Sequence, residues 1–185
     1  MLKKVFITVL LIFLLTSCFW SDELEDWNIQ AIYESKDISI TIPSQWEVVE
    51  NIQNILPKPA NGEIVFDAVS KVENDNFYRN ILVLKQEFKN EISSLDFVIW
   101  NNTSSKNEYF YYKNIFEKNV LIDWKKTKIY QFEARYSEDI PIFNFLQTGL
   151  VCNNKWFLIT IALEKNNKSV ERYEWLLASF KCKNN

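Results

Sequence analysis

Histidine is absent from this chain of 185 residues, and glycine occurs only twice, at Gly62 and Gly149. Histidine is the commonest general base and the commonest metal ligand, so every Ser-His and Cys-His nucleophile pair is excluded. Two glycines so far apart cannot form a phosphate-binding loop, which excludes the nucleotide-binding fingerprints. The composition therefore predicts a protein that is not an enzyme, with no catalytic residues, no metal site and no cofactor.

The sequence also lacks an excess of positive charge. It has 21 Lys and Arg against 24 Asp and Glu, a formal net charge of −3. Proteins that bind nucleic acid usually carry a basic patch or stripe, so we expect no nucleic-acid partner. The same acidity argues against purely electrostatic attachment to an anionic membrane surface.

An apolar segment does occur at the N-terminus. Lys3 and Lys4 precede a run from Val5 to Leu15 that is apolar apart from Thr8. A helix needs about 20 apolar residues to span a bilayer, and this run of 11 is too short. The pattern of charge followed by a short apolar run is typical of a secretory signal peptide.

The tetrad Leu15-Thr16-Ser17-Cys18 resembles the lipobox of bacterial prolipoproteins. The resemblance implies that a signal peptide, residues 1–17, is removed and that Cys18 is lipidated, for example with palmitate. The mature chain would be held by this lipid in the cell membrane or the outer membrane, facing the periplasm or the exterior. The alternative is an ordinary signal peptide in which the cysteine occurs by chance.

Beyond the signal peptide, the sequence predicts a short tether and one domain. Residues 18–27 include four acidic residues and are expected to be a solvated, lipidated tether. Removing Lys3 and Lys4, with no acidic residue, takes the net charge from −3 to −5. Residues 28–185 are long enough for a single domain with a substantial core, and no internal repeat divides them.

Alternation of apolar and polar residues predicts a protein rich in strands, most clearly in Ile38-Ser39-Ile40-Thr41-Ile42. Two helices are predicted, one capped by Ser93 or Ser94 and one by Ser169. The first would present Leu95, Val98, Ile99 and Asn102 on one face, with a helix-poor ending over 101–107. The second would present Val170, Tyr173, Leu176, Leu177 and Phe180. The predicted strands are 28–33, 37–42, 46–49, 63–70, 80–88, 109–116, 123–136, 143–152 and 156–163.

Two stretches resemble the PsbP-like family. In the first, Ser39-Ile40-Thr41-Ile42-Pro43-Ser44-Gln45-Trp46, a strand runs into a proline and a tryptophan. In the second, the strand from Trp156 to Leu163 is followed by a helical stretch from Tyr173 to Phe180. The resemblance implies an α+β fold, an α/β/α sandwich with a central, mainly antiparallel sheet and helices on both faces. No catalytic residue set defines this family, so the resemblance assigns no functional residue.

Two cysteines remain besides Cys18, and they are predicted to form a disulfide. Cys152 directly precedes the turn Asn153-Asn154, and the last helix should run back along the sheet to bring Cys182 near that turn. An envelope protein folds in an oxidising compartment, which favours a bridge. The alternative is two free thiols.

Tyr109, Tyr111 and Tyr112 form the most aromatic stretch of the sequence and are a possible partner surface. A stacking platform for a sugar or a peptide is an alternative interpretation. The carboxylates of Glu133, Glu138 and Asp139 are the nearest approach to a catalytic acid pair, but their spacing favours a solvated surface.

These patterns together favour a membrane-anchored envelope lipoprotein with a non-catalytic accessory or binding domain for a protein partner. The first alternative is a binder of a small or lipidic ligand in a pocket between sheet and helix. The second is an enzyme that depends on carboxylates or tyrosines.

Overall fold

A computed structural model describes residues 30–49, 62–74, 77–87 and 91–183. Cys18, the signal peptide, the tether and most of the proline-containing segment 51–62 lie outside these residues. No helix in the described part of the chain is long and apolar enough to cross a membrane. The described elements are β1 (Gln30–Glu34), β2 (Ile38–Pro43), β3 (Glu47–Val48), β4 (Glu63–Asn74), β5 (Phe77–Glu87), α1 (Ser94–Glu108), β6 (Phe110–Ile122), β7 (Lys125–Arg135), β8 (Phe143–Cys152), β9 (Lys155–Glu164), α2 (Val170–Ala178) and β10 (Lys181–Cys182).

Two antiparallel sheets contain all of these strands. The larger has seven strands in the order β3-β4-β5-β9-β8-β7-β6, and the smaller has three in the order β1-β2-β10. The long strands β8 and β9 form a hairpin at Asn153-Asn154, as predicted, and pair from Phe143↔Glu164 to Cys152↔Lys155. Both turn residues have positive φ, which asparagine tolerates better than most residues.

The large sheet is covered on both faces, which makes a three-layer sandwich. In β9, Phe157, Ile159 and Ile161 belong to a core shared with β2 and α2, whereas Trp156 and Leu158 pack in the cluster that contains Phe97 of α1. Successive residues of a strand point to opposite faces, so α1 lies on one face and α2 with the small sheet on the other. The predicted α+β fold with helices on both faces is therefore observed.

The first helix is longer than the sequence suggested, because it continues through the polar stretch 101–107 to Glu108. Three of these polar side chains hydrogen-bond to the carbonyl four residues earlier: Asn101 to Phe97 at 2.9 Å, Thr103 to Ile99 at 3.0 Å and Asn107 to Thr103 at 3.3 Å. These bonds satisfy the side chains without breaking the helix. The prediction of an early end was wrong.

The buried face of α1 also differs from the predicted one. Phe97, Val98, Asn101, Asn102 and Ser105 face the sheet, whereas Ile99 is 40% exposed. The helix approaches the sheet closely over Gly149 of β8, where a Cβ atom would lie 2.7 Å from the Phe97 ring. A glycine is needed at this contact, which the sequence alone did not reveal. In α2, by contrast, Tyr173, Leu176 and Leu177 are buried as predicted, and so is Phe180, which lies just after the end of the helix. Ser169 makes no side-chain cap bond.

Candidate functional site

The edge strand β6 carries a strip of exposed apolar side chains. Among the described residues it pairs only with β7, at one end of the strand order of the large sheet. Two bulges interrupt the pairing, and Tyr111 has φ +56 within the first. We call the exposed residues Phe110, Tyr111, Ile115, Leu121 and Trp124 the β6 strip; they are between 41% and 94% exposed. Exposed apolar side chains along a sheet edge are one feature of sites that bind another protein.

The turn from β6 to β7 places a tryptophan where the backbone disfavours it. Ile122 pairs with Lys125, so Asp123 and Trp124 form a two-residue turn with φ +48 and +63. Glycine or asparagine usually occupies such positions, and a bulky residue there costs about 1 kcal/mol. Trp124 is also 94% exposed. A residue that adds strain and buries almost nothing contributes nothing evident to the fold, which favours a role in binding. The sequence prediction had placed both residues in a strand, and this was wrong.

The disulfide predicted between Cys152 and Cys182 is present in the structure, with its Cα atoms 5.4 Å apart. It joins the β8–β9 hairpin to β10. The backbone amide of Cys182 also donates a hydrogen bond to the Asp123 carboxylate at 3.1 Å. The turn that presents Trp124 is thus held by the bridged C-terminal segment.

The three predicted tyrosines do not share one surface. Tyr111 is 61% exposed and belongs to the β6 strip. Tyr112 stacks on Phe132 at 4.8 Å and accepts a hydrogen bond from the Asn102 amide at 2.8 Å. Tyr109 packs between Phe132 and Phe145 on the α1 face of the sheet. Only the Tyr111 side chain is fully available to a partner, and the role of all three as a partner surface stays a prediction.

The predicted carboxylates are separate surface groups. Glu133 forms an ion pair with Lys113 at 3.6 Å, and Glu138 and Asp139 are exposed. Arg135 donates to the backbone carbonyl of Glu138 at 2.8 Å rather than to a carboxylate. In the described ranges, no group of three or more His, Cys, Asp or Glu residues is arranged to hold a metal ion.

A buried carboxyl that the sequence analysis missed lies on the α1 face of β4. Asp67 is only 7% exposed, between Phe66 and Ala68, which point into the opposite core. Burial raises the pKa of Asp67 to about 6. A hydrogen bond from the Ala68 backbone amide lowers the pKa, but by less than burial raises it. Within the described residues, no lysine or arginine forms a salt bridge with it. The sequence feature that could have indicated this buried carboxyl is the single acidic residue in the apolar strand Ile64-Val65-Phe66-Asp67-Ala68.

Two strands away from Asp67, polar side chains of β9 and β8 lie next to each other on the same face of the sheet. The strand registers place Asp67 beside Leu82, Leu82 beside Thr160, and Thr160 beside Gln147. The Gln147 amide donates to the Thr160 hydroxyl at 3.1 Å and accepts from the Ser105 hydroxyl of α1 at 3.4 Å. This chain of hydrogen bonds forms a polar row under α1.

Two tyrosines adjoin this row. The hydroxyls of Tyr109 and Tyr136 share a hydrogen bond, and their ring centroids are 5.3 Å apart. Burial of the Tyr136 hydroxyl raises the pKa of this residue, and the negative charge of Asp67 raises it further. The residue as a whole is 53% exposed. Asp67 and Tyr136 are therefore close enough for the charge of one to affect the pKa of the other.

We expect the Asp67→Asn variant to be more stable than the wild type at pH 7.5 and similar to it near pH 4. A carboxyl whose pKa is raised by folding stabilises the native state below its unfolded pKa, and this stability is lost as the pH rises through about 6. The loss is about 2 kcal/mol after allowing for solvent screening. Urea unfolding at several pH values measures it. The chain has no histidine to titrate in the same range. If the free energies of unfolding of the wild type and Asp67→Asn changed with pH in the same way, the burial of this carboxyl would be contradicted.

Comparisons with known proteins identify the fold. No family model and no curated protein matches the sequence. The cyanobacterial PsbP protein CyanoP from Synechocystis sp. PCC 6803 is 12% identical, with 84% of this chain and 93% of that chain covered and a TM-score of 0.55. LpqN, involved in cell envelope biogenesis of Mycobacterium tuberculosis, is 10% identical, with 84% and 91% covered and a TM-score of 0.54. The Ran-binding protein Mog1p from Saccharomyces cerevisiae is 8% identical, with 82% and 94% covered and a TM-score of 0.52.

At such identities these similarities establish the fold alone. The chain has the PsbP-like α+β fold, which the stretches around Trp46 and after Trp156 had implied. This resemblance is confirmed at the level of the fold.

Proposed function

We propose that this protein is a lipid-anchored envelope lipoprotein whose PsbP-like domain is a non-catalytic binding module for a protein partner. Cys18 provides the anchor, and the β6 strip provides the binding surface. The observation that carries the proposal is Trp124, which is 94% exposed in a backbone conformation that disfavours it.

The geometry of β6 supports a protein partner in particular. An open sheet edge offers backbone donors and acceptors to an extended segment of another chain, and the flanking apolar side chains offer contact area. The bulges and the residues Lys113 and Lys118 make the edge irregular and charged. Such features discourage unspecific strand pairing along the edge.

The similar structures agree with a binding or accessory role. One is described as involved in cell envelope biogenesis and another as a Ran-binding protein. Both have this fold over most of the chain. We extend to this chain only the general role, a domain that works through a partner.

The anchoring part of the proposal predicts that Cys18→Ser remains an unlipidated precursor. Radiolabelled palmitate should enter the wild type and not the variant, because the lipidated atom is the cysteine sulfur. Cys182→Ser, which removes a cysteine elsewhere, should still be labelled and serves as the control. Equal labelling of wild type and Cys18→Ser would contradict the lipobox assignment.

The binding part predicts that Trp124→Asn gains stability and loses its partner. Asparagine tolerates positive φ, so the free energy of unfolding should rise by about 0.5–1 kcal/mol. Affinity capture from detergent-solubilised envelopes, with the lipidated protein as bait, should recover the partner with wild type but not with the variant. Trp175→Asn, a 46% exposed tryptophan on α2, is the matched control and should retain the partner. Equal capture by Trp124→Asn would contradict the assignment of this surface.

A further inference from the structure

Residues 181–183, which we call the C-terminal clamp, connect three parts of the molecule. Within the clamp, Cys182 is bridged to Cys152 at the end of β8 and pairs with Ile38 of β2. The backbone amide of the same residue donates a hydrogen bond to the Asp123 carboxylate at 3.1 Å. Cys182 is therefore the point at which the disulfide, the small sheet and the turn between β6 and β7 meet.

The turn that carries Trp124 needs support, because its backbone is strained. Both of its residues, Asp123 and Trp124, have positive φ. Residues other than glycine are disfavoured in that region and keep such a conformation only where the surrounding structure holds them there. The Asp123 carboxylate also lies 3.8 Å from the Lys125 amine, but Lys125 belongs to the same hairpin. Among the described residues, the hydrogen bond from Cys182 is the one that reaches this carboxylate from outside the hairpin.

We propose that the disulfide between Cys152 and Cys182 is a redox control on the β6 strip. When a dithiol reduces the bridge, the clamp leaves the Asp123 carboxylate and Trp124 is no longer held in its strained conformation. This inference rests on the proposed function, because it assigns a means of regulation to the same surface. A partner that binds only the held conformation loses affinity in proportion to the fraction of molecules that keep it.

The reduction is an ordinary thiol–disulfide exchange that begins at Cys182. This residue is half-buried, whereas Cys152 is 2% exposed. A thiolate of the dithiol attacks the Cys182 sulfur, the bond between the two cysteine sulfurs breaks, and Cys152 leaves as a thiolate that takes up a proton. The second thiolate of the dithiol then attacks the mixed disulfide and releases Cys182, which also takes up a proton. The dithiol becomes a disulfide, and its two electrons reduce the bridge.

Release of the clamp is the expected result of reduction, because few other contacts hold it. Its strand β10 is two residues long and lies at the edge of the small sheet. The backbone amide of Lys183 donates to the Asp37 carbonyl at 2.9 Å, and its carbonyl accepts from the Asn153 amide at 3.2 Å. The Lys183 amine forms an ion pair with Glu34 at 2.8 Å. Short edge elements with few buried contacts open locally at a low cost in free energy.

Hydrogen–deuterium exchange of the full, lipidated protein in detergent, with and without dithiothreitol as the dithiol, monitors the turn without any partner. Reduction should speed exchange of the backbone amides of residues 122–125 about tenfold, since a hydrogen bond to a charged group is lost, and leave the central strand β5 unchanged. In Asp123→Gly, which removes the carboxylate and tolerates positive φ, reduction should no longer change exchange in the turn. Lys183→Gln, which removes only the ion pair with Glu34, is the matched control and should respond like wild type.

Affinity capture from detergent-solubilised envelopes then measures the effect on the partner. Bait that has been reduced, alkylated and freed of reductant should capture about tenfold less partner than oxidised bait. Equal exchange in the two redox states, or faster exchange that extends to β5, would overturn the proposal. Faster exchange in the turn with equal capture by both forms would overturn the regulation and leave the proposed function intact. Faster exchange in the turn with no protein captured by either form would support redox control of the turn and contradict the proposed function.

Discussion

Arg79→Met should lower the free energy of unfolding by about 3–5 kcal/mol at pH 7.5, because it leaves a buried carboxylate without its cation. Arg79 donates two hydrogen bonds to the Glu164 carboxylate, at 2.9 and 2.8 Å, and the two side chains are only 13% and 9% exposed. Burial raises the pKa of Glu164, but the hydrogen bonds from Arg79 and Asn167 outweigh it, so the pKa lies below its usual value. The pair joins the start of β5 to the end of β9.

The effect of Arg79→Met should shrink on acidification, because without arginine the pKa of Glu164 rises and the carboxyl becomes neutral more readily. Urea unfolding at pH 7.5 and pH 5 measures both effects. Glu47→Gln is the control, since the Lys71–Glu47 pair is 4.0 Å long with both side chains more than half exposed; it should cost less than about 0.5 kcal/mol. A loss for Arg79→Met as small as that of the control would contradict the burial of this pair.

Removing the disulfide should have the second largest effect. Replacing Cys152 and Cys182 together with alanine opens a loop of sequence separation 30 and should lower the free energy of unfolding by about 3.5 kcal/mol in the chain-entropy model. The bridge holds β10, which pairs with β2 through Lys181↔Ser39 and Cys182↔Ile38. Without it, the C-terminal segment should open first, and the contact of Cys182 with Asp123 should be lost with it.

Thiol titration and urea unfolding together test this expectation. Denatured, unreduced wild type from the envelope should show no reactive thiol at these positions, and reduction should expose two. The single variants Cys152→Ala and Cys182→Ala, each left with one thiol, should be destabilised about as much as the double variant. Two reactive thiols in unreduced protein, or a double variant as stable as wild type, would contradict the bridge.

The sequence predicted those strands and helices whose buried face is visible in the local spacing of apolar residues. The alternation in Ile38 to Ile42 became β2, with all three isoleucines at most 2% exposed. The spacing of Tyr173, Leu176 and Leu177 became the buried face of α2. The disulfide could be predicted because a hairpin and a returning helix have known rises per residue, so the chain path fixed where Cys182 would lie.

The sequence did not predict features that depend on contacts distant along the chain. The polar end of α1 looks unfavourable for a helix, but hydrogen bonds to the sheet retain it: Asn102 donates to Tyr112 and Ser105 donates to Gln147. Trp124 resembled a strand residue because tryptophan favours strands, yet the pairing Ile122↔Lys125 makes it a turn residue. In the sequence, Asp67 looks like a single polar residue on the exposed side of a strand. Its burial depends on the surrounding fold, and its charge acts on Tyr136, 69 positions away along the chain.

The sequence also did not predict that Tyr109, Tyr111 and Tyr112 lie in different surroundings. A bulge at the start of β6 gives Tyr111 a positive φ, whereas Tyr109 and Tyr112 pack towards Phe132. Regular alternation would put Tyr109 and Tyr111 on one side of the strand and Tyr112 on the other. The bulge changes which side of the strand each tyrosine is on, and no local pattern in the sequence predicted the bulge.

The central claim, that the turn at Trp124 contacts a protein partner, is tested most directly by photo-crosslinking in the intact envelope. A photoreactive amino acid placed at Lys126, an exposed position next to the turn, keeps Trp124 itself in place. The same amino acid at Lys165, an exposed position between β9 and α2, is the control. The account predicts one discrete protein adduct from position 126, none from position 165, and loss of the adduct when Trp124→Asn is added. Absence of an adduct at position 126, or an identical adduct that persists with Trp124→Asn, would contradict it.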